Sequence, residues 1–130
     1  MKQRLSQFFL LGIIALLAGC NPVSVKWGWI ESSSLAHKKA SYANFNGVEK
    51  AIFHARAGQT VNLKYDLTVK QGSLALTLQD FNGAPLWDER FDQDAADTLK
   101  LTADEGGLYT LRVVGENTEG GFDISWETED

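Results

Sequence analysis

Much of this chain counts in twos. Val61, Leu63, Tyr65, Leu67 and Val69 alternate with Thr60, Asn62, Lys64, Asp66 and Thr68. Leu74, Leu76 and Leu78 alternate with Ala75, Thr77 and Gln79. The pattern returns in Leu99 and Leu101, in Tyr109, Leu111 and Val113, and in Phe122, Ile124 and Trp126. Ala51, Phe53 and Ala55 form one face of an earlier strand, and Val25, Trp27 and Trp29 that of a first one. Successive side chains of a strand point to opposite faces, so each segment has one dry and one wet side. That is the signature of an antiparallel sheet packed on one face.

Turn chemistry separates the segments: Ala57-Gly58-Gln59, Gln71-Gly72, Asp80-Phe81-Asn82-Gly83, Glu105-Gly106-Gly107 and Glu119-Gly120-Gly121. Asn and Asp tolerate a left-handed backbone, and Gly adopts it without strain. No helical period follows residue 20, so the dry faces have only a second sheet to pack against. The expectation is an all-β chain, a single antiparallel β-sandwich of about eight strands over residues 25–130. Ser32 to Ala40, SSSLAHKKA, is polar and weakly patterned and reads as a loop with a short strand after it.

The first nineteen residues do not fit that pattern. Lys2 and Arg4 precede an uncharged apolar run from Phe8 to Gly19. A basic start, a short apolar stretch and small residues make a secretory signal, too short for a membrane span of about 20 residues. The lone cysteine, Cys20, closes it. Leu17-Ala18-Gly19-Cys20 resembles the lipobox of bacterial lipoproteins. That resemblance implies cleavage between Gly19 and Cys20 and a lipid on the Cys20 thiol. Residues 1–19 are then a leader and 20–24 a lipidated cysteine with a short tether. The partner would be the bilayer of a cell membrane or outer membrane, on its extracytoplasmic side. Asn21, where inner-membrane lipoproteins of enteric type commonly carry Asp, favours an outer membrane if the envelope is of that type.

"LTADEGGLYTLRV", Leu101 to Val113, resembles the immunoglobulin-like pattern in which a tyrosine caps nearby backbone, a role that falls to Tyr109. "FHARAGQTVNLKY", "LALTLQDFNGAPLW" and "GGLYTLRVVG" follow the order of bacterial pre-peptidase C-terminal domains, which are small jelly-roll-like sandwiches. The resemblance runs over Val48 to Glu127 and implies a jelly-roll or immunoglobulin-like sandwich.

Few residues suggest reaction chemistry. His37 sits beside Lys38-Lys39 and reads as solvated; His54 alternates with Phe53 and so points to the wet face. Neither lies in a nucleophile or zinc motif. No enzyme activity, cofactor or metal is expected. Asp88 to Asp97, DERFDQDAAD, is the densest acid run; it lacks the EF-hand spacing and reads as a solvated loop, a calcium-dependent module being the weaker alternative.

No basic-aromatic stripe suggests nucleic acid, and the acidic charge argues against it as a partner. Without residues 1–19 the chain has 10 basic and 17 acidic residues, net −7. Residues 20–70 hold seven basic residues against three acids, and residues 71–130 three against fourteen. If both halves are strands of one sandwich, the signs mix in space and mean only solubility; alternatively, a basic face lies near the anchor and touches anionic lipid, with an acidic face turned outward. Three tryptophans are candidate contacts. Trp27 and Trp29 suit the core, a lipid interface or a sugar platform, and Trp87 with Phe91 could share an exposed strand face. The chain is expected to be a membrane-anchored, non-enzymatic module binding an envelope protein or glycan. The alternative is an accessory subunit of an envelope complex with no small ligand.

Overall fold

The computed structural model describes residues 24–130. Cys20, Gly19 and the rest of the expected leader lie outside the described residues, as does the tether up to Val23. Seven strands follow in order: β1 Val25–Trp27, β2 Ile30–Ser34, β3 His37–Ala55, β4 Thr60–Gln79, β5 Pro85–Phe91, β6 Ala95–Thr102 and β7 Gly107–Glu129. No helix occurs among the described residues. Every strand pairing is antiparallel.

Three strands are far longer than the usual five or six residues: β3 has 19, β4 has 20 and β7 has 23. β7 lies between β3 and β4 along its whole length. All three break register at one level, between Tyr42 and Gly47 in β3 and between Val69 and Ser73 in β4, opposite the stretch Gly115–Gly120 of β7. There the sheet creases and folds onto itself. On one side of the crease β2 and β6 complete layer A, in the order β2-β3-β7-β4-β6. On the other side β1 and β5 complete layer B, in the order β1-β3-β7-β4-β5. The result is an all-β, antiparallel sandwich.

The crease explains a shift of phase in β4. Odd positions from Val61 to Val69 are buried, then even positions from Leu74 to Leu78. One extra residue in the bulge moves the dry face onto the other parity. Gly72, at φ +68°, makes the bend, and a Cβ there would run into the carbonyls of Glu116 and Asn117. Asn117 itself has a left-handed backbone, φ 46°. The bend leaves the Val69 N–H without a β6 partner, and it donates to Asp94 Oδ1 at 2.9 Å.

The expected turns at Gln71-Gly72 and Glu119-Gly120-Gly121 are therefore bends inside continuous strands, which is why seven strands do the work of about eight. The other three turn signals do separate strands. Ser32 to Ala40 is not a loop: β2 and β3 form a hairpin across Leu35-Ala36, with Ser34 paired to His37. Every residue of β2 is exposed, so no alternation marks it.

One core fills the space between the layers. Phe53 of layer B stacks on Trp126 of layer A, and Tyr65 of layer A meets Trp87 and Phe91 of layer B. Tyr109 closes the start of β7: its hydroxyl donates to the Glu105 carbonyl four residues upstream. Burial raises the pKa of this hydroxyl, the bond to Glu105 opposes the shift, and the acids Asp80, Asp104 and Glu105 add to it.

Candidate functional site: a polar groove on layer A

The outer face of layer A collects the wet-side residues of β4, β6 and β7. Register sets them in rows. Lys100, Asn62 and Glu127 lie side by side across the three strands, followed by Thr98, Lys64 and Ser125. These six, with Glu129, line an open groove of about 560 Å³ whose remaining walls are Ala36 and Trp126. Among the described residues none of the four charged side chains, Lys64, Lys100, Glu127 and Glu129, is in an ion pair.

Asn62 is the unusual member. It sits on a wet-face position yet is only 9% exposed, and its Oδ1 has no hydrogen-bond partner. A buried amide oxygen left unpaired costs about 1–3 kcal/mol. The groove offers hydroxyls on Thr98 and Ser125, cations on β4 and β6, and carboxylates on β7, around the largely buried Asn62. Such a lining bonds a ligand rich in both donors and acceptors.

A second depression of about 300 Å³ continues along the same face over Lys39, Asp66, Thr68 and Gly121. His37 borders this face, half-buried, with Nε2 2.5 Å from Asp123 Oδ1. His54 is exposed on layer B, far along β3 from His37. The acid run Asp88 to Asp97 spans the end of β5, the crossing to layer A and the start of β6. Its carboxylates point apart. Asp88 accepts from Thr77 Oγ1, and Asp94 from Val69 N–H. Among the described residues no three His, Cys, Asp or Glu side chains converge as a metal site would require.

The tryptophans do not form a platform. Trp27 is 71% exposed, whereas Trp29 packs inside against Tyr42, Phe45 and Phe122, at ring centroid distances of 5.5, 5.1 and 6.2 Å. Gly28, at φ +62°, breaks the strand between them, so the period of two that would pair their faces ends there. Trp87 is half-buried and stacks on Tyr65 at 5.7 Å, and Phe91 is buried beside it. Trp87 and Phe91 do share a face, but it is the inner one. Trp126 is in the core.

None of the groove residues stands out in the sequence, because each is an ordinary polar residue on a wet strand face. Only the register of β4 with β6 on one side and β7 on the other brings them together.

No protein-family model matches the chain, and no curated protein does. Among solved structures it is similar to a CBM4 module, with a TM-score of 0.49, 8% identity and coverage of 79% of this chain and 78% of that one. It is similar to TmCBM61 in complex with β-1,4-galactotriose, with a TM-score of 0.49, 13% identity and coverage of 78% and 88%. It is also similar to PliG of Aeromonas hydrophila, a periplasmic inhibitor of g-type lysozyme, with a TM-score of 0.44, 16% identity and coverage of 82% and 94%. Likeness at this level concerns strand arrangement and says nothing of a ligand.

Proposed function

We propose that this chain is a lipid-anchored, non-enzymatic binding module of the bacterial envelope that takes a glycan in the groove on layer A. The observation that carries the ligand class is the groove's lining of two hydroxyls, two lysines and two glutamates around the Asn62 side chain. Vicinal sugar hydroxyls donate to carboxylates and accept from ammonium groups. The groove holds no exposed aromatic ring, so hydrogen bonding rather than stacking would supply the affinity. Such a surface site gains specificity from paired polar contacts and only modest energy from each.

The anchor rests on Leu17-Ala18-Gly19-Cys20. One acyl chain holds a protein only marginally, and two or more hold it stably. Labelled palmitate fed to cells is expected to enter the wild type and not Cys20→Ala. Label in Cys20→Ala would remove the anchoring reading.

For the ligand, purified protein is titrated with soluble fragments of envelope polysaccharide and peptidoglycan. Binding that disappears in Asn62→Ala and Lys64→Ala, with unfolding unchanged, supports the groove. Binding that survives both variants places the ligand elsewhere. Absence of binding to any fragment, with a single protein trapped by cross-linking in whole cells, favours the accessory-subunit reading.

A further inference from the structure

The outer face of layer B differs in kind from that of layer A. Its outward positions on β1, β3 and β7 include Trp27, Val48, Ile52 and Leu108, with Val114 half-buried among them. Ile52 is 61% exposed and Leu108 55%. Between Val48–Val114 and Ile52–Thr110, adjacent pairs in the same ladder, lies the pair Lys50–Arg112. Two cations directly opposite each other on neighbouring strands repel. Among the described residues neither is in an ion pair, and Arg112 Nε has no hydrogen-bond partner. Of the acids on this face, Glu116 is paired with Arg90 at 3.4 Å, and Asp88, which accepts from the Thr77 hydroxyl, lies out on β5, separated from Arg112 by β4. His54 is the remaining titratable group, beside Leu108.

A like-charge pair ringed by exposed aliphatic side chains, with a tryptophan at one end, is matched by a surface of phosphates above hydrocarbon. The start of the described chain adds a geometric argument. Ser24 lies over Gly47, where a Cβ would strike its hydroxyl, and Val48 is the next residue. Cys20 is four residues before Ser24, a reach of about 14 Å at full extension. We infer that the outer face of layer B rests on an anionic lipid surface, with Lys50 and Arg112 on headgroup phosphates and Trp27, Ile52 and Leu108 in the interfacial zone. This rests on the anchored reading. It turns the groove of layer A away from the membrane.

Indoles favour the membrane interface, and each Lys or Arg near an anionic surface adds to the attraction. The test uses protein tethered through Cys20 to vesicles of phosphatidylethanolamine and phosphatidylglycerol, either by its own lipid or by coupling the Cys20 thiol to a maleimide lipid. Brominated phospholipid is expected to quench tryptophan emission, and the quenching to vanish in Trp27→Phe. The double variant Lys50→Glu/Arg112→Glu should lose it too, while Lys64→Glu/Lys100→Glu on the opposite layer retains it. Trp27 that stays open to aqueous iodide and untouched by brominated lipid overturns the inference. Because the maleimide arm supplies the tether chemically, a failure of palmitate labelling removes the natural anchor without deciding this result.

Discussion

Phe53 and Trp126 stack across the space between the two layers, their ring centroids 5.9 Å apart and their planes 26° from parallel. Phe53 also stacks on Tyr109 at 6.0 Å, so three strand segments meet in one aromatic column. Trp126→Ala should cost about 3–5 kcal/mol, the range for deleting a buried large aromatic. Trp87→Ala, at the half-buried edge of the same core, should cost clearly less. Urea unfolding of the two variants checks the order.

Two tyrosine hydroxyls should respond in opposite ways to removal. Tyr109 donates to the Glu105 carbonyl, so Tyr109→Phe should lose about 1 kcal/mol. Tyr42 Oη is buried without a well-formed bond, beside the Thr118 hydroxyl, so Tyr42→Phe should be neutral or stabilising. Equal losses in both variants would contradict this account.

Burial raises the pKa of all three tyrosines, Tyr42, Tyr65 and Tyr109, above the ordinary 10, with Glu89 and Asp97 adding to the effect at Tyr65. A folded-state pKa above the unfolded value means that the unfolded chain gives up its proton first as pH rises. Stability from these groups is therefore fully present below pH 10 and lost as the pH climbs above it. Unfolding midpoints measured between pH 8 and about 11 should stay level at first and then fall. Tyrosinate absorbance should develop only above the range of free tyrosine.

The crease is testable through glycine. Gly72→Ala meets both a left-handed backbone, worth about 1–2 kcal/mol, and the carbonyls of Glu116 and Asn117. Gly83, at φ +82°, has nothing within 4 Å of its virtual Cβ. Gly83→Ala therefore reports the backbone term alone. The excess loss in Gly72→Ala measures the close approach at the fold line.

Asn62→Leu separates function from stability. It removes a buried amide oxygen that lacks a partner, so stability should hold or rise, while glycan binding should disappear. A large loss of stability would mean that Asn62 has a structural bond instead.

Most of the strand content was legible because alternation is a local signal. Val61 to Val69 and Leu74 to Leu78 bury the faces their spacing predicts. Continuity was not legible. A turn and a bulge both call for glycine at positive φ, so Gly72 looks the same whether the chain reverses or bends. β2 escaped because an edge strand exposed on both sides has no dry face to reveal it. Trp27 and Trp29 share a parity, but Gly28 between them ends the strand. The groove was least legible. Lys100, Asn62 and Glu127 are neighbours only through pairings that span most of the described chain.

The position of β7 also governs when this chain can fold. β3 and β4 do not pair with each other; each pairs with β7, which begins at Gly107. Until the 23 residues of β7 emerge, the two other long strands lack their central partner in either layer. Contacts of such wide sequence separation form slowly. A chain emerging from the ribosome in the N-to-C direction can therefore pair β2 with β3 and β4 with β5 and β6, but joins these pieces into layers only once β7 is out. That delay makes β7 the strand around which both layers close together.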